Sequence, residues 1–434
     1  MGQGGKITLV NSTPYNWTRT HQHSYQMHSW NFPSTIPAKT SVSVYVEWDQ
    51  NIFHQQKDDA GEIDYTLDGT GKVFQIQARA QSGFDLKIYF RDLETQSIRK
   101  GTTISLGWEH DGYVSFVLAG SVGHFISTGT DASSWMQNNL STIGNRTLKE
   151  ICIPGSHDSG MSEYNKGTAF AHDCNVLTQG KSIGDQLAFG TRYFDIRPTI
   201  SAGNYLTGHY SRVDQISSWQ GANGQSVDSI INDVNNFSQR HQELVVLNIS
   251  HSLNTDLGNN SYRSFNQSEW DGLFFKLSHL QNLYQAPLGT DLTSIKIENL
   301  ISGKSAVIVI IEDPADLKDY AGNGFFKYDS FKAYNSYASK NDVGEMAQNQ
   351  FKKMKEHHGE YFLLSWTLTQ DGKQASTCVT KLASSIISLA KKANQRMADL
   401  IFPEVHKSAF PNILYTDYIV NSDAAVLAMA INTK

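Results

Sequence analysis

The chain has few residues from which to make disulfides, no stretch suited to crossing a bilayer and no excess of positive charge. Cysteine occurs three times in 434 residues, as Cys152, Cys174 and Cys378. That is too few for a disulfide scaffold, and each sits in an apolar setting, so all three read as buried thiols; Cys152–Cys174 is the only pairing the reading entertains. No CxxC and no Cys/His spacing is present, which excludes the common structural zinc sites and leaves the expectation of no bound metal and no cofactor. No run of eighteen apolar residues occurs, so no transmembrane helix is expected. The start, Met1-Gly-Gln-Gly-Gly-Lys6, lacks an apolar signal region and has Lys6 where a myristoylation signal has Ser or Thr. A cytoplasmic location is the default, and secretion would require a trimmed signal. Thirty-six basic residues face 42 acidic ones, a net charge of −6. That excludes non-specific nucleic-acid binding and gives no global pull towards an anionic membrane, so any membrane contact is expected to be local and transient. No internal repeat or low-complexity segment is apparent.

What is present reads as two domains, because 434 residues exceed what one core usually holds. Residues 1–125 are rich in β-branched and aromatic residues in alternation, as in Ser41-Val-Ser-Val-Tyr-Val46 and Phe84-Asp-Leu-Lys-Ile-Tyr-Phe90. Turn signals such as Asp68-Gly-Thr-Gly separate these runs, predicting an antiparallel β-sandwich. The segment Asn16 to Trp30, with His21, His23 and His28, reads as a polar sandwich edge; a lipid- or glycan-binding aromatic surface is its functional alternative. Residues 126–147 are polar and read as a linker. From 148 to 434, continuous apolar runs (149–154, 192–198, 204–209, 244–250, 306–311, 361–365 and 413–418) alternate with helix-like stretches at 182–189, 226–240, 268–279, 376–398 and 422–431. Strands buried on both faces alternating with helices predict an α/β, TIM-type barrel. Eight Asn-x-Ser/Thr sequons occur, and Asn248 falls in a predicted buried strand, where glycosylation is impossible.

Two segments carry the chemistry. Ile151-Cys-Ile-Pro-Gly-Ser-His157-Asp158-Ser-Gly160 delivers a His-Asp pair into a turn. Gly190-Thr-Arg-Tyr-Phe-Asp195-Ile-Arg197-Pro198 places Asp195 and Arg197 on one face of a strand. A further histidine, His209, follows in Leu-Thr-Gly-His. Two histidines suit a base and an acid near neutral pH, and a guanidinium suits a phosphate diester. Read as residues alone, His157 is a base or a hydrogen-bonded turn histidine, and Asp158 fixes a tautomer or caps a turn. Asp195 reads as orienting rather than reacting.

In order and spacing these segments resemble the X domain of phosphatidylinositol-specific phospholipase C, in its bacterial-type and small eukaryotic forms. The resemblance runs through Glu243-Leu-Val-Val-Leu-Asn-Ile-Ser-His251 to Asn412-Ile-Leu-Tyr-Thr-Asp417, covering roughly residues 130–434. It implies a barrel phosphodiesterase in which His157 deprotonates an inositol 2-hydroxyl and His209 protonates the leaving group. Asp158 and Asp417 would support the histidines, and Arg197 would clamp the phosphate where calcium-dependent relatives hold an ion. Substrate contacts are expected from Asp195, Ser250, His251, Glu312 and Trp366. The bacterial pattern has basic residues where this chain has Ser250-His251 and Glu312-Asp313, so the headgroup pocket differs, and Glu312 with Asp313 leaves a cation site as a minor option. The implied partner is a phospholipid or inositol-phosphate substrate. Two other readings compete: a metal-dependent glycerophosphodiester or sphingomyelin phosphodiesterase on the same barrel, and a catalytically weak lipid- or carbohydrate-binding protein.

Overall fold

The computed structural model describes residues 2–380 and 384–434 and divides them into two units: residues up to 131 with 395–408 and 426–434, and residues 132–394 with 409–425. The segments 395–408, with the helix Met397–Glu404, and 426–434, with most of the helix Asp423–Asn432, lie in the stretch that the sequence reading gave to the barrel.

In the second unit the continuous apolar runs form eight strands: β1 (Ile153–Ser156), β2 (Tyr193–Ile196), β3 (Leu244–Ile249), β4 (Ala306–Ile311), β5 (Phe325–Lys327), β6 (Ala333–Tyr334), β7 (Tyr361–Trp366) and β8 (Ile413–Thr416). Their order is β5-β4-β3-β2-β1-β8-β7-β6, and every pairing is parallel. The first strand pairs with the last, which wraps the sheet into a TIM-like barrel; β5 and β6, at its two edges, flank the seam. Every residue of β3 and β4 is buried, as strands covered on both faces require.

The helix Val227–Ser238 buries Val227, Ile230, Ile231, Val234 and Phe237, one stripe at helical spacing, and Ser226 caps it by accepting from the Ser229 amide. The helix Gln267–Leu277 opens with a capping box between Asn266 and Glu269 and buries Trp270, Leu273, Phe274 and Leu277. Both pack on the outer faces of β2, β3 and β4 in one core. The predicted helix 376–398 is instead Gly372–Thr377 and Ile386–Asn394, with 381–383 outside the described residues. A helix at Val343–Glu356 is absent from the sequence reading, because Gln350 occupies one of its buried positions and blurs the apolar period.

Two further expectations change. The run 204–209 is not a barrel strand. It belongs to a long strand, Asn204–Val213, in a four-stranded sheet with Pro198–Ser201, Ser218–Ser226 and Leu253–Asn254, and its neighbours on both sides are antiparallel. The segment 126–147 is structured: it carries the short strand Ile126–Ser127 and helices Trp135–Asn138 and Leu140–Ile143, with Trp135 buried and its indole N–H donating to Gly190 O at 2.9 Å.

The first unit is a sandwich of two sheets. The five-stranded sheet runs Ile126–Ser127, Tyr113–Ala119, Gln3–Ser12, Thr40–Trp48, Met27–Trp30. The six-stranded one runs Thr35–Ile36, Trp17–Tyr25, Ala60–Leu67, Lys72–Arg79, Asp85–Tyr89, Thr103–Gly107. Trp17, Trp48, Phe74 and Phe116 fill the space between them. The six-stranded sheet is antiparallel throughout, whereas Gln3–Ser12 and Tyr113–Ala119 pair in parallel.

Candidate active site

The barrel register makes β1, β2 and β8 end together: Ser156 lies opposite Phe194 on one side and Thr416 on the other. The residues just past these strands therefore meet at the C-terminal mouth, where such barrels carry their sites. The His157 amide donates to Thr416 O at 3.0 Å, carrying the β1–β8 ladder one step further. Asp158 then turns with φ +40°, a conformation uncommon for a non-glycine residue. It is held there from three sides: its amide donates to Asp195 Oδ2 at 3.0 Å, and its carbonyl accepts from Thr178 Oγ1 at 2.9 Å and from the Met161 amide at 3.1 Å. A Cβ on Gly160 would stand 2.3 Å from Thr207 Oγ1, so only glycine lets this turn pass beneath the strand that carries His209.

The side chains form two His–carboxylate pairs around one guanidinium. His157 Nδ1 lies 2.7 Å from Asp417 Oδ1, and His157 Nε2 lies 2.9 Å from Arg197 Nη2. A guanidinium has only donors, so Nε2 presents its lone pair and Nδ1 carries the proton donated to Asp417. His209 Nδ1 donates to Asp158 Oδ2 at 2.7 Å, which leaves Nε2 as its other working nitrogen. Arg197 joins the pairs: Nε donates to Asp195 Oδ2 at 3.0 Å, and Nη1 lies 3.7 Å from Asp158 Oδ2. Both carboxylates of the His pairs are buried, while the His157 and His209 side chains keep 13% and 23% of their surface exposed, enough to meet a ligand.

Asp195 accepts from Ser250 Oγ through Oδ1 at 3.0 Å and from Tyr415 OH through Oδ2 at 2.7 Å. Burial alone would raise its pKa, but the Arg197 guanidinium, His157, the Tyr415 hydroxyl and the Asp158 amide hold the carboxyl well below the usual range. The carboxylates of Asp195 and Asp158 push Arg197 further up against its own burial. Tyr337 was not foreseen in the sequence. Its hydroxyl accepts from Arg197 Nη2 at 3.2 Å and lies 3.4 Å from Tyr415 OH, and burial pushes its pKa up to about 12. The rings of Tyr337 and Tyr415 stand edge-on to the His157 imidazole, 5.5 and 5.3 Å away. Gln179 was also missed: its Nε2 donates to His157 O at 2.8 Å and to Thr416 O at 3.3 Å, tying two strand ends together. Nothing in the residues around Tyr337 marks it, because the loop after β6 has no motif. Tyr415 lies inside a quoted motif, two residues before Asp417.

Of the expected substrate contacts, Asp195 and Ser250 lie inside this network. His251, exposed and with φ +55°, continues it through Ser250 Oγ at 2.8 Å. Glu312, just past β4, accepts from Asn248 Nδ2 at 2.9 Å. Trp366 is a correction. It is fully buried, its indole donates to Ala393 O at 2.8 Å and its ring meets Phe351, so it packs against the helices outside the barrel and cannot line the mouth. At Glu312 and Asp313, Asp313 accepts from the amides of His251 and Ser252 and the Ser252 hydroxyl, and among the described residues no group of three His, Cys, Asp or Glu is placed to hold a metal. The cysteines pair differently as well. Cys174 bonds Cys378, and Cys152 is a buried thiol outside that disulfide. The two bonded residues are 204 apart in sequence, but they follow β1 and β7, on either side of β8, and Gln370 Nε2 donates to Cys174 O across the same gap.

No family model matches the chain. It is 32% identical over 107 residues to the 1-phosphatidylinositol phosphodiesterase of Staphylococcus aureus strain Newman, a match spanning 25% of this chain and 29% of the relative, and equally identical to that of strain NCTC 8325. The chain thus matches less than a third of the length of these curated relatives, and their names bear out the resemblance to phosphatidylinositol-specific phospholipase C. Among solved structures, the phosphatidylinositol-specific phospholipase C of S. aureus superposes on 70% of this chain and 98% of its own, with a TM-score of 0.49 and 16% identity. That of Listeria monocytogenes covers 70% and 99%, with 0.44 and 13%.

Proposed function

We propose that the chain is a phosphodiesterase of phospholipase C type that cleaves an inositol phospholipid or a glycosyl-inositol lipid by internal attack. The observation that carries this reading is the pair of His–carboxylate couples, His157–Asp417 and His209–Asp158, held on either side of Arg197. Internal attack needs a base for the substrate hydroxyl, an acid for the leaving alkoxide and fixed positive charge at the phosphate, and these residues supply one of each.

His157 Nε2 already bears a lone pair, at present capped by Arg197. An incoming phosphate draws the guanidinium towards its non-bridging oxygens, and the inositol 2-hydroxyl takes the vacated place at Nε2. As its oxygen attacks phosphorus, its proton passes to His157, and Asp417 stabilises the imidazolium. The bond from phosphorus to the glycerol oxygen breaks, and His209 Nε2, protonated and braced by Asp158, gives that oxygen its proton. The products are a cyclic inositol phosphate and diacylglycerol. Asp195 and the two tyrosine hydroxyls keep Arg197 aimed. In this reading the guanidinium, filling the space beside Asp158 and Asp195, provides the charge that calcium would provide. His251 and Glu312, at the ends of β3 and β4, are the proposed headgroup contacts.

Contact with a bilayer is proposed to be transient, through the exposed Phe170, Ile216 and Leu257 on loops that join the His209 sheet. Among the described residues no helix is long and apolar enough to cross a membrane. The Cys174–Cys378 bond favours an oxidising compartment. The test is to incubate the chain with phosphatidylinositol in EDTA and follow the phosphorus NMR spectrum. The reading predicts a cyclic phosphodiester resonance. No product in EDTA, with recovery on adding a divalent ion, would favour the metal-dependent alternative; no product under either condition would favour a binding protein.

A further inference from the structure

The most exposed large apolar side chains described in the chain are far from the catalytic motifs in sequence. Ile52 and Phe53 are 89% and 87% exposed and adjacent. They sit at the tip of the loop 49–59, which connects the strand Thr40–Trp48 of one sandwich sheet to the strand Ala60–Leu67 of the other.

The loop is built to hold them outward. Asp49 Oδ1 accepts from the Asn51 amide at 2.9 Å, and Asn51 Oδ1 accepts from the Phe53 amide at 3.0 Å, so two successive side-chain turns set the chain direction on both sides of Ile52. The His54 amide closes back on Asn51 O at 3.0 Å, and the His54 ring pairs with Asp49 Oδ2 at 2.6 Å. The neighbouring turn braces the base, where the Asp49 amide donates to Gln26 O at 3.1 Å. Tyr25, beside that turn and opposite Ala60, is itself 53% exposed. A turn tied at four points has no need of two large apolar residues at its apex, and leaving both in water costs free energy.

We infer that Ile52 and Phe53 form a membrane-inserting tip, and that its partner is the acyl–headgroup boundary of an uncharged, zwitterionic bilayer. The shape argues against a protein partner. Two side chains on a convex tip ringed by charged groups offer a small part of the roughly 800 Å² per side that a stable protein interface needs. A bilayer needs only a short apolar wedge with polar flanks at headgroup level. The charges decide which bilayer: the loop carries Asp49, Asp58 and Asp59 against Lys57 and His54, so it has no basic cluster with which to seek anionic lipid. The inference goes beyond the reading of the barrel and does not depend on it.

The test uses the full chain and large vesicles of phosphatidylcholine that contain no inositol lipid, with binding measured by co-sedimentation. The double substitution Ile52→Ser/Phe53→Ser should weaken partitioning at least tenfold while circular dichroism and the hydrolysis of a water-soluble substrate stay unchanged. Phe53→Trp should keep the partitioning and add an emission component that shifts to the blue on adding vesicles. Three results would overturn the inference: wild-type chain that does not bind these vesicles, a double variant that binds as tightly as wild type, or self-association that the double variant abolishes without any vesicle binding. Because turnover is not the readout, an inactive barrel would leave the result interpretable.

Discussion

Replacing Arg197 by lysine separates charge from geometry at the site. The guanidinium meets four groups at once: Asp195 Oδ2 at 3.0 Å, His157 Nε2 at 2.9 Å, Tyr337 OH at 3.2 Å and Asp158 Oδ2 at 3.7 Å. A lysine ammonium keeps the charge but has one nitrogen, and the nearby buried carboxylate of Asp195 is the partner it will take. The phosphate then loses the fork that remains free to turn towards it. Losing one preorganised donor to a developing charge costs about 3–4 kcal/mol, or roughly 10²–10³ in rate. Arg197→Lys should therefore lower kcat on phosphatidylinositol by about that factor, with KM changed far less, because the attraction to a ground-state phosphate survives. Wild type and variant should be assayed side by side in EDTA, with thermal unfolding followed to show that Asp195 stays paired. A variant that retains kcat within about threefold of wild type would refute the argument, since charge alone would then suffice.

Other outcomes follow from particular contacts. Tyr337→Phe removes the hydroxyl that accepts from Arg197, so kcat should fall about tenfold and the pH–rate profile should shift on its acidic limb, whereas a merely structural role would leave that limb in place. Asp59 in the sandwich is buried, with one carboxyl oxygen lacking a partner, and burial, then the charge of Asp49, raises its pKa to about 6. A raised folded value means that its contribution to stability is fully present below its ordinary value near 4 and is lost as pH rises through about 6. Asp59→Asn should thus raise the melting temperature more at pH 8 than at pH 5, and equal shifts at both would contradict this. Phe274, fully buried against Tyr320 and Phe325, should cost about 3–5 kcal/mol in chemical denaturation when replaced by alanine, with the unfolding still cooperative.

How much of this was legible in the sequence depends on how local the signal is. β3 and β4 announced themselves, because six consecutive buried residues, all apolar but Asn248, suit only a strand covered on both faces. His157, Asp158, Asp195 and Arg197 were visible because each lies within two residues of such a strand, and the register of β1, β2 and β8 brings them to one place. His209 was found for its residue type but set in the wrong element: Asn204–Val213 is apolar over a few residues, and only its antiparallel partners at Pro198–Ser201 and Ser218–Ser226 distinguish a hairpin from a barrel strand. Contacts made across the barrel left no local trace. Tyr337 reaches Arg197 over 140 residues, Cys174 bonds a residue 204 positions away, and Trp366 is the last residue of β7, where a pocket residue could stand, yet turns outward to Ala393. The helix Val343–Glu356 was hidden by one buried polar side chain, Gln350, which donates to Ser336 O and accepts from the Ser365 amide instead of packing as an apolar residue would.

The central claim is that two His–carboxylate couples divide the proton transfers, His157 as base and His209 as acid. Its most direct test compares His157→Ala and His209→Ala on two inositol phosphodiesters, one with a glycerol leaving group and one with a nitrophenol that departs without a proton. On the glycerol substrate each variant should lose a factor on the order of 10² or more, with the fold intact. On the nitrophenyl substrate His209→Ala should recover most of its rate while His157→Ala stays impaired. Equal losses for both variants on both substrates would contradict the division of roles.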